Sequence, residues 1–331
     1  MHDLRGRALR ARPAQRSSSP RALLWRTMTA PPPTRVALLL LSVLTASTLE
    51  VTTRAQDAAP WTASLDAIRR TAALIPGPQP LRLNFVKFAE SRRAKNVSVD
   101  GAPAVPSIQA RTAFQVVYPD GHVMVDAGMD RTIHDFFGRG VQEPYFQEAA
   151  RRVEQAVRDA RLIVVTHEHG DHIAGALRSP AGAEVAAKTV LTRAQVQTLT
   201  VAPQMPEIAL TPEAAGRFIT IDYDTYFPLA PGVALIKAAG HTAGSQMVFV
   251  TLASGREYLL IGDVAWHMDG VRQVKGKDAP WVTEDAPAVM DQLTWLNELS
   301  RTETELVIIA SHDEEQHINL TRQQLLSNRL E

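Results

Sequence analysis

The chain's 331 residues, 45% hydrophobic and 21% charged, have a folded globular composition that excludes wholesale disorder, collagen-like repeats and a multi-span membrane protein. Eight arginines stand against Asp3 alone in residues 1–35, which leaves residues 56–331 at a net −7, so no nucleic-acid partner is expected. Cysteine is absent, which excludes disulfides, a thiol nucleophile and thiolate metal sites.

Val36–Leu44 (VALLLLSVL) is a nine-residue apolar run preceded by arginines. It is shorter than the ~20 apolar residues a bilayer requires and matches the hydrophobic region of a secretory signal peptide. Thr53-Arg54-Ala55 supplies a small-x-small cleavage site, and Met28 is an alternative start that gives a compact leader. Residues 1–55 are therefore read as a leader and 56–331 as one large domain, periplasmic or secreted. The alternatives are an uncleaved membrane anchor, the only expected membrane contact, and a buried helix.

Trp61, Leu65, Ile68 and Ala72 recur at helical spacing and predict a helix over Ala58–Ala73, stopped by Pro76-Gly77-Pro78. Leu81–Ala89 alternates as a strand. Residues 90–110, small and polar with charges at Glu90, Arg92, Arg93 and Lys95, read as a long loop, a candidate for substrate contact. Ala113–Tyr118 and His122–Val125 are strands joined by a turn at Pro119-Asp120-Gly121. Glu143–Arg158 has helical spacing, and Leu162–Val165 is an apolar strand. Residues 200–217, with prolines at 203, 206 and 212, read as an insertion or lid and a second candidate for substrate contact. Strands follow at Ala234–Ile236, Met247–Thr251, Tyr258–Ile261 and Leu306–Ala310, with helices at Ala286–Leu299 and Thr321–Leu330.

The decisive segment follows the strand at 162–165: Thr166-His167-Glu168-His169-Gly170-Asp171-His172. On an extended stretch His167 and His169 face one side and can reach one metal ion. Asp171 and His172 lie where the chain turns toward a helix near Ile173, and can reach a second. Ordinary packing gives no reason to crowd three histidines and an aspartate together.

This segment resembles the H-x-H-x-D-H signature of the metallo-β-lactamase-fold hydrolases, and four more motifs follow that superfamily's order. Val123–Gly128 resembles its early strand ending in an aspartate, here Asp126. Gly240-His241-Thr242-Ala243-Gly244-Ser245 resembles its glycine-histidine-threonine turn, with Ala243 where proline is frequent. Ile261-Gly262-Asp263 resembles the strand that ends in a bridging carboxylate, and Ala310-Ser311-His312-Asp313 the last histidine motif. The resemblance implies an α/β fold, an αββα sandwich of two mixed β-sheets flanked by helices, with 56–331 as the catalytic domain. It places His167, His169 and His241 on a first metal, Asp171, His172 and His312 on a second, and Asp263 across both. Asp126 would orient a ligand histidine, or else cap a strand end. Two zinc ions are expected, with iron, manganese or cobalt as alternatives for the same donors.

Two such ions lower the pKa of a shared water and polarise a carbonyl or phosphoryl oxygen, so hydrolysis by a bridging hydroxide is expected, with Asp171 and Asp263 as the catalytic carboxylates. The expected substrate is a small carboxylic ester or lactone, uncharged or weakly anionic. Asp263 resembles the lactonase, glyoxalase-like and phosphodiesterase branches, whereas β-lactamases of this fold often carry cysteine or serine there. Trp266 stands where such lactonases often carry a tyrosine, which makes His267 the candidate proton donor. Trp266, Met268 and Trp281 read as an apolar wall beside the metals. The alternatives are a β-lactamase-like amide hydrolase, a phosphodiesterase or thioesterase, and an iron-dependent redox enzyme of the same fold.

Overall fold

Strand-period alternation builds two sheets whose inner faces meet. The computed structural model describes residues 60–331; the leader at 1–55 and its cleavage site lie outside the described residues. The first sheet contains β1 (Arg82–Ala94), β2 (Pro106–Tyr118), β3 (Gly121–Val125), β4 (Leu162–Val164), β5 (Thr189–Thr192) and β6 (Ile219–Ile221), in that spatial order. Its pairs are antiparallel from β1 to β3 and parallel from β3 to β6. The second contains β7 (Tyr226–Ala230), β8 (Val233–Lys237), β9 (Gln246–Thr251), β10 (Glu257–Leu260) and β11 (Leu306–Ile309), ordered β11-β10-β9-β8-β7. It is antiparallel except for the β10–β11 pair.

Val123 and Val125 of β3 meet Leu235, Val248 and Leu260 of the second sheet in the space between the sheets. The residue between them, Met124, points outward with Ile163 and Leu191 and packs under the helices Gln147–Asp159 and Gly170–Leu177. On the other side Ile236, Phe249 and Leu259 pack under Leu65–Ala72 and Ala286–Thr302. Both faces of both sheets are thus covered, which is the αββα arrangement. Among the described residues no helix is long and apolar enough to cross a membrane.

Three elements depart from the sequence reading. The 90–110 segment is not one long loop: β1 runs into it as far as Ala94, β2 begins within it at Pro106, and the short helix Lys95–Ser98 and a turn at 99–105 lie between them. Its polarity hides the pattern because Glu90 and Ser91 are buried with polar partners, Glu90 bonding Lys87 and Arg92 and Ser91 bonding the buried Arg111. The last helix is Glu314–Arg322, capped by the Asp313 side chain on Gln316 N at 2.9 Å, not 321–330. The chain leaves that helix through Gln324 at φ 58°, and Leu326 is buried against the inter-sheet core as irregular chain. Within 200–217 the backbone forms short turns at Pro206–Ile208 and Pro212–Ala215, folded onto the first sheet's helices through Met205 and Ile208.

Candidate metal centre

Five strand ends deliver the site. Asp126 follows β3, His167 follows β4, His241 follows β8, Asp263 follows β10 and His312 follows β11. Asp126 has φ 64°, a left-handed conformation that aspartate tolerates. From there its Oδ1 accepts from Thr166 N at 2.7 Å and its Oδ2 meets His172 Nδ1 at 2.8 Å. Gly262 has φ 54°, and a Cβ there would stand 3.0 Å from the Thr166 Cβ. Glycine is required at that point, and it brings Asp263 against the end of β4.

Two groups of potential ligands result, His167, His169, His241 and Asp263 in one, and Asp171, His172 and His312 in the other. In the first, His169 Nδ1 lies 3.1 Å from both His167 Nε2 and His241 Nε2, and Asp263 Oδ2 lies 3.5 Å from His241 Nε2. In the second, Asp171 Oδ2 lies 3.4 Å from His172 Nε2 and 3.5 Å from His312 Nε2. Asp263 Oδ1 completes it, 3.4 Å from His172 Nε2 and 3.2 Å from His312 Nε2. Ligand atoms ~2.1 Å from a tetrahedral ion sit ~3.4 Å apart, so both groups have the spacing of a coordination shell. His172 Nε2 and Asp263 Oδ1 are buried with no hydrogen-bond partner. Unpartnered buried ligand atoms of this kind fit a metal ion, since an unpaired buried polar atom otherwise costs ~1–3 kcal/mol.

The ring nitrogens that face away from the centre are held. His312 Nδ1 donates to Ala110 O at 2.7 Å, and His241 Nδ1 meets Glu284 Oε2 at 3.0 Å, which leaves each Nε2 lone pair directed inward. Burial lowers the pKa of His167, and together with neighbouring His241 it pushes His169 down to about 3, so both rings are neutral donors. Burial would also lower His172, but Asp171, Asp126 and Asp263 outweigh it and hold that imidazole well above its usual range. Burial would raise Asp171 and Asp263, yet Arg111 for the former and His312 and His172 for both keep them ionised. The proton on His172 stands where a divalent cation would relieve the same carboxylate field.

A cavity of about 790 Å³ opens over these groups. Trp266 and Trp281 line it as the sequence indicates; Trp266 Nε1 donates to Asp263 Oδ2 at 2.6 Å. Met268 does not line it: its helix turns the side chain into the core outside the second sheet. His267 does not line it either. That histidine caps the helix Met268–Gln273 by accepting from Asp269 N at 3.0 Å, and lines a separate cavity with Asp313 and Glu314. It is therefore removed as a candidate proton donor. Gln109, Ala202 and Gln204 do bring the 90–110 and 200–217 segments to the cavity wall.

The sequence reading missed Arg111, Lys277 and Glu284. Arg111 pairs with Asp171, approaches His312 Nε2 at 3.4 Å and lines the cavity. Its signal is an arginine within an otherwise buried strand. Lys277 binds Glu284 Oε2 at 2.9 Å and donates to Asp263 O at 2.8 Å, thereby linking the His241 and Asp263 segments. Neither residue of that pair stands in a recognisable motif.

A model of the metallo-beta-lactamase superfamily matches residues 110–312, from the second strand through the last histidine. The chain belongs to the metallo-beta-lactamase superfamily. An N-acyl homoserine lactonase from a Bacillus species is 23% identical over 210 residues, which cover 60% of this superfamily member and 78% of the lactonase. The solved structure of an N-acyl homoserine lactone hydrolase, with its product bound at the catalytic metal centre, superposes with a TM-score of 0.56. It is 18% identical and covers 73% of this chain and 96% of its own. A dizinc quorum-quenching lactonase superposes with a TM-score of 0.50 at 12% identity, covering 72% and 91%. The αββα fold is shared, and this superfamily member is a metal-dependent hydrolase.

Proposed function

We propose that the protein is an exported dinuclear-metal hydrolase that opens a lactone or cleaves a carboxylic ester. The observation that carries this reading is the disposition of Asp263, whose Oδ2 faces the His167, His169 and His241 group while its Oδ1 faces the Asp171, His172 and His312 group. One carboxylate addressing two ligand groups is the geometry of a bridged pair of ions. Zinc suits the all nitrogen and oxygen donor set. When bound, the pair supplies a nucleophilic hydroxide at neutral pH and an electrophile for the carbonyl oxygen.

The chain's own residues supply the rest. Trp266 holds Asp263 by a 2.6 Å hydrogen bond, and Glu284 and Asp126 fix the rings of His241 and His172. Arg111 lines the cavity and, through its ion pair with Asp171, keeps that carboxylate ionised for a metal. Phe137, Trp266 and Trp281 give the cavity apolar walls that would seat an acyl chain and exclude water. The lactonase relatives support the lactone over the amide as the bond cleaved.

A panel of lactone, aryl ester, β-lactam and phosphodiester substrates, assayed on the wild type and on Asp263→Asn, tests the reading. Lactone or ester turnover that is lost in the variant is expected. β-Lactam turnover far above ester turnover would replace it with the amide-hydrolase alternative. Export rests on the 36–44 apolar run and is tested by the mature N-terminus, expected near Gln56 in the extracytoplasmic fraction.

A further inference from the structure

The mouth of the cavity carries a cation that the chemistry at its floor does not use. Arg139 follows the helix Arg131–Phe137 on a turn where it adopts φ 51°, ahead of Gly140 at φ 85°. An arginine in the left-handed region is strained, and that region favours glycine or asparagine. Its guanidinium lies 3.9 Å from the centre of the Trp281 ring, stacked across the mouth on a segment remote in sequence. Among the described residues it makes no ion pair and no side-chain hydrogen bond, although it lines the cavity. The two other arginines on the cavity wall are committed: Arg93 to Glu143 and Phe137 O, and Arg111 to Asp171 and Ser91.

Stacking at an exposed site returns about what the strained backbone costs, so the pair has little value as a structural strap. What it leaves is a guanidinium whose N–H edge has no partner among the described residues, held on Trp281 in a cavity that Phe137 and Trp266 also line. Such an edge recognises a planar anion, above all a carboxylate. The geometry points to a substrate that carries a carboxylate at the end remote from the scissile carbonyl, separated from it by an apolar chain, with Arg139 as the residue that selects it. This deepens the ester or lactone reading and rests on it for the identity of the bond.

The test uses two substrates of equal chain length, the aryl monoester of adipic acid and the aryl ester of hexanoic acid. For the wild type, kcat/KM for the adipic ester is expected to exceed that for the hexanoic ester by about fivefold or more at low salt, chiefly through KM, with the ratio falling as salt is added. In Arg139→Gln the ratio should collapse to about one, and Arg139→Lys should keep part of it. A wild-type ratio of one or less, or a ratio that survives Arg139→Gln, overturns the proposal. Absence of turnover of either ester refutes the reaction and leaves Arg139 to calorimetry with adipate and hexanoate. Tighter binding of adipate that is lost in Arg139→Gln then supports the anion site, and equal or absent binding overturns it.

Discussion

Lys277 is a buried cation whose removal has a calculable effect. Its side chain is 2% exposed, and its ammonium meets Glu284 Oε2 at 2.9 Å, Asp263 O at 2.8 Å and Val264 O at 3.2 Å. Lys277→Met keeps most of the stem's volume and deletes the charge. Breaking a buried pair from one side costs ~3–5 kcal/mol. Glu284 retains His241 as a partner and is 13% exposed, so the expected loss is nearer ~2–3 kcal/mol. For a domain of this size each ~1 kcal/mol corresponds to ~2–4 °C, which predicts a melting temperature lower by about 5–10 °C. Glu284→Gln should cost at least as much, because it strands the less exposed partner. The double variant removes both charges and still offers His241 Nδ1 an amide oxygen, so its loss should fall short of the sum by ~1 kcal/mol or more. Urea unfolding of the wild type, both single variants and the double variant, all in chelator so that metal linkage does not enter, measures this. Losses that add to within ~0.5 kcal/mol would refute the coupling.

His317 lies between Phe85 and Phe114, with ring centroids at 5.3 and 5.9 Å, and its Nε2 meets Ala310 O at 2.9 Å. Burial lowers its pKa from 6.5 to about 4, so between these values the unfolded chain binds a proton that the folded one refuses. Stability should therefore fall as pH drops through that window, by up to ~3 kcal/mol, and His317→Gln should flatten the slope in pH-dependent unfolding; an unchanged slope would contradict this. Elemental analysis of wild type purified without added metal should find about two divalent ions per chain, and His172→Ala fewer. Wild type without metal, or a variant that holds as much, would reject the ligand assignment. Chelation should lower the melting temperature, since ligand at about a thousandfold its Kd stabilises by ~4 kcal/mol.

Much of this site is legible in the sequence because metal ligation concentrates it. His167, His169, Asp171 and His172 sit within one short segment that marks itself, and His241, Asp263 and His312 each follow an apolar strand in motifs whose order resembles the superfamily's. The charges that tune them are not local. Arg111 reaches Asp171 from 60 residues away and Glu284 reaches His241 from 43, and no short-range pattern records a pairing made only by the tertiary fold. The same limit hides the strand character of Glu90 and Ser91, which are buried through polar partners. It also misplaces the last helix, because Leu325 and Leu326 serve the inter-sheet core from irregular chain, where helical spacing was a coincidence. Met268 and Trp281 were equally apolar in sequence, and only the direction of the helix at 268–273 separates the core residue from the wall residue.

Each ligand group draws two members from either sheet. His167 and His169 come from the first sheet and His241 and Asp263 from the second; Asp171 and His172 come from the first, and His312 and Asp263 from the second. In the folded arrangement each sheet therefore contributes only two of the donors that would surround an ion in either group. Metal affinity becomes a gauge of how the halves dock: a substitution deep between the sheets, far from any ligand, that tilts one against the other by a fraction of an ångström would register first as a weakened hold on the metals. Ions held there would tie the two sheets together across the space between them.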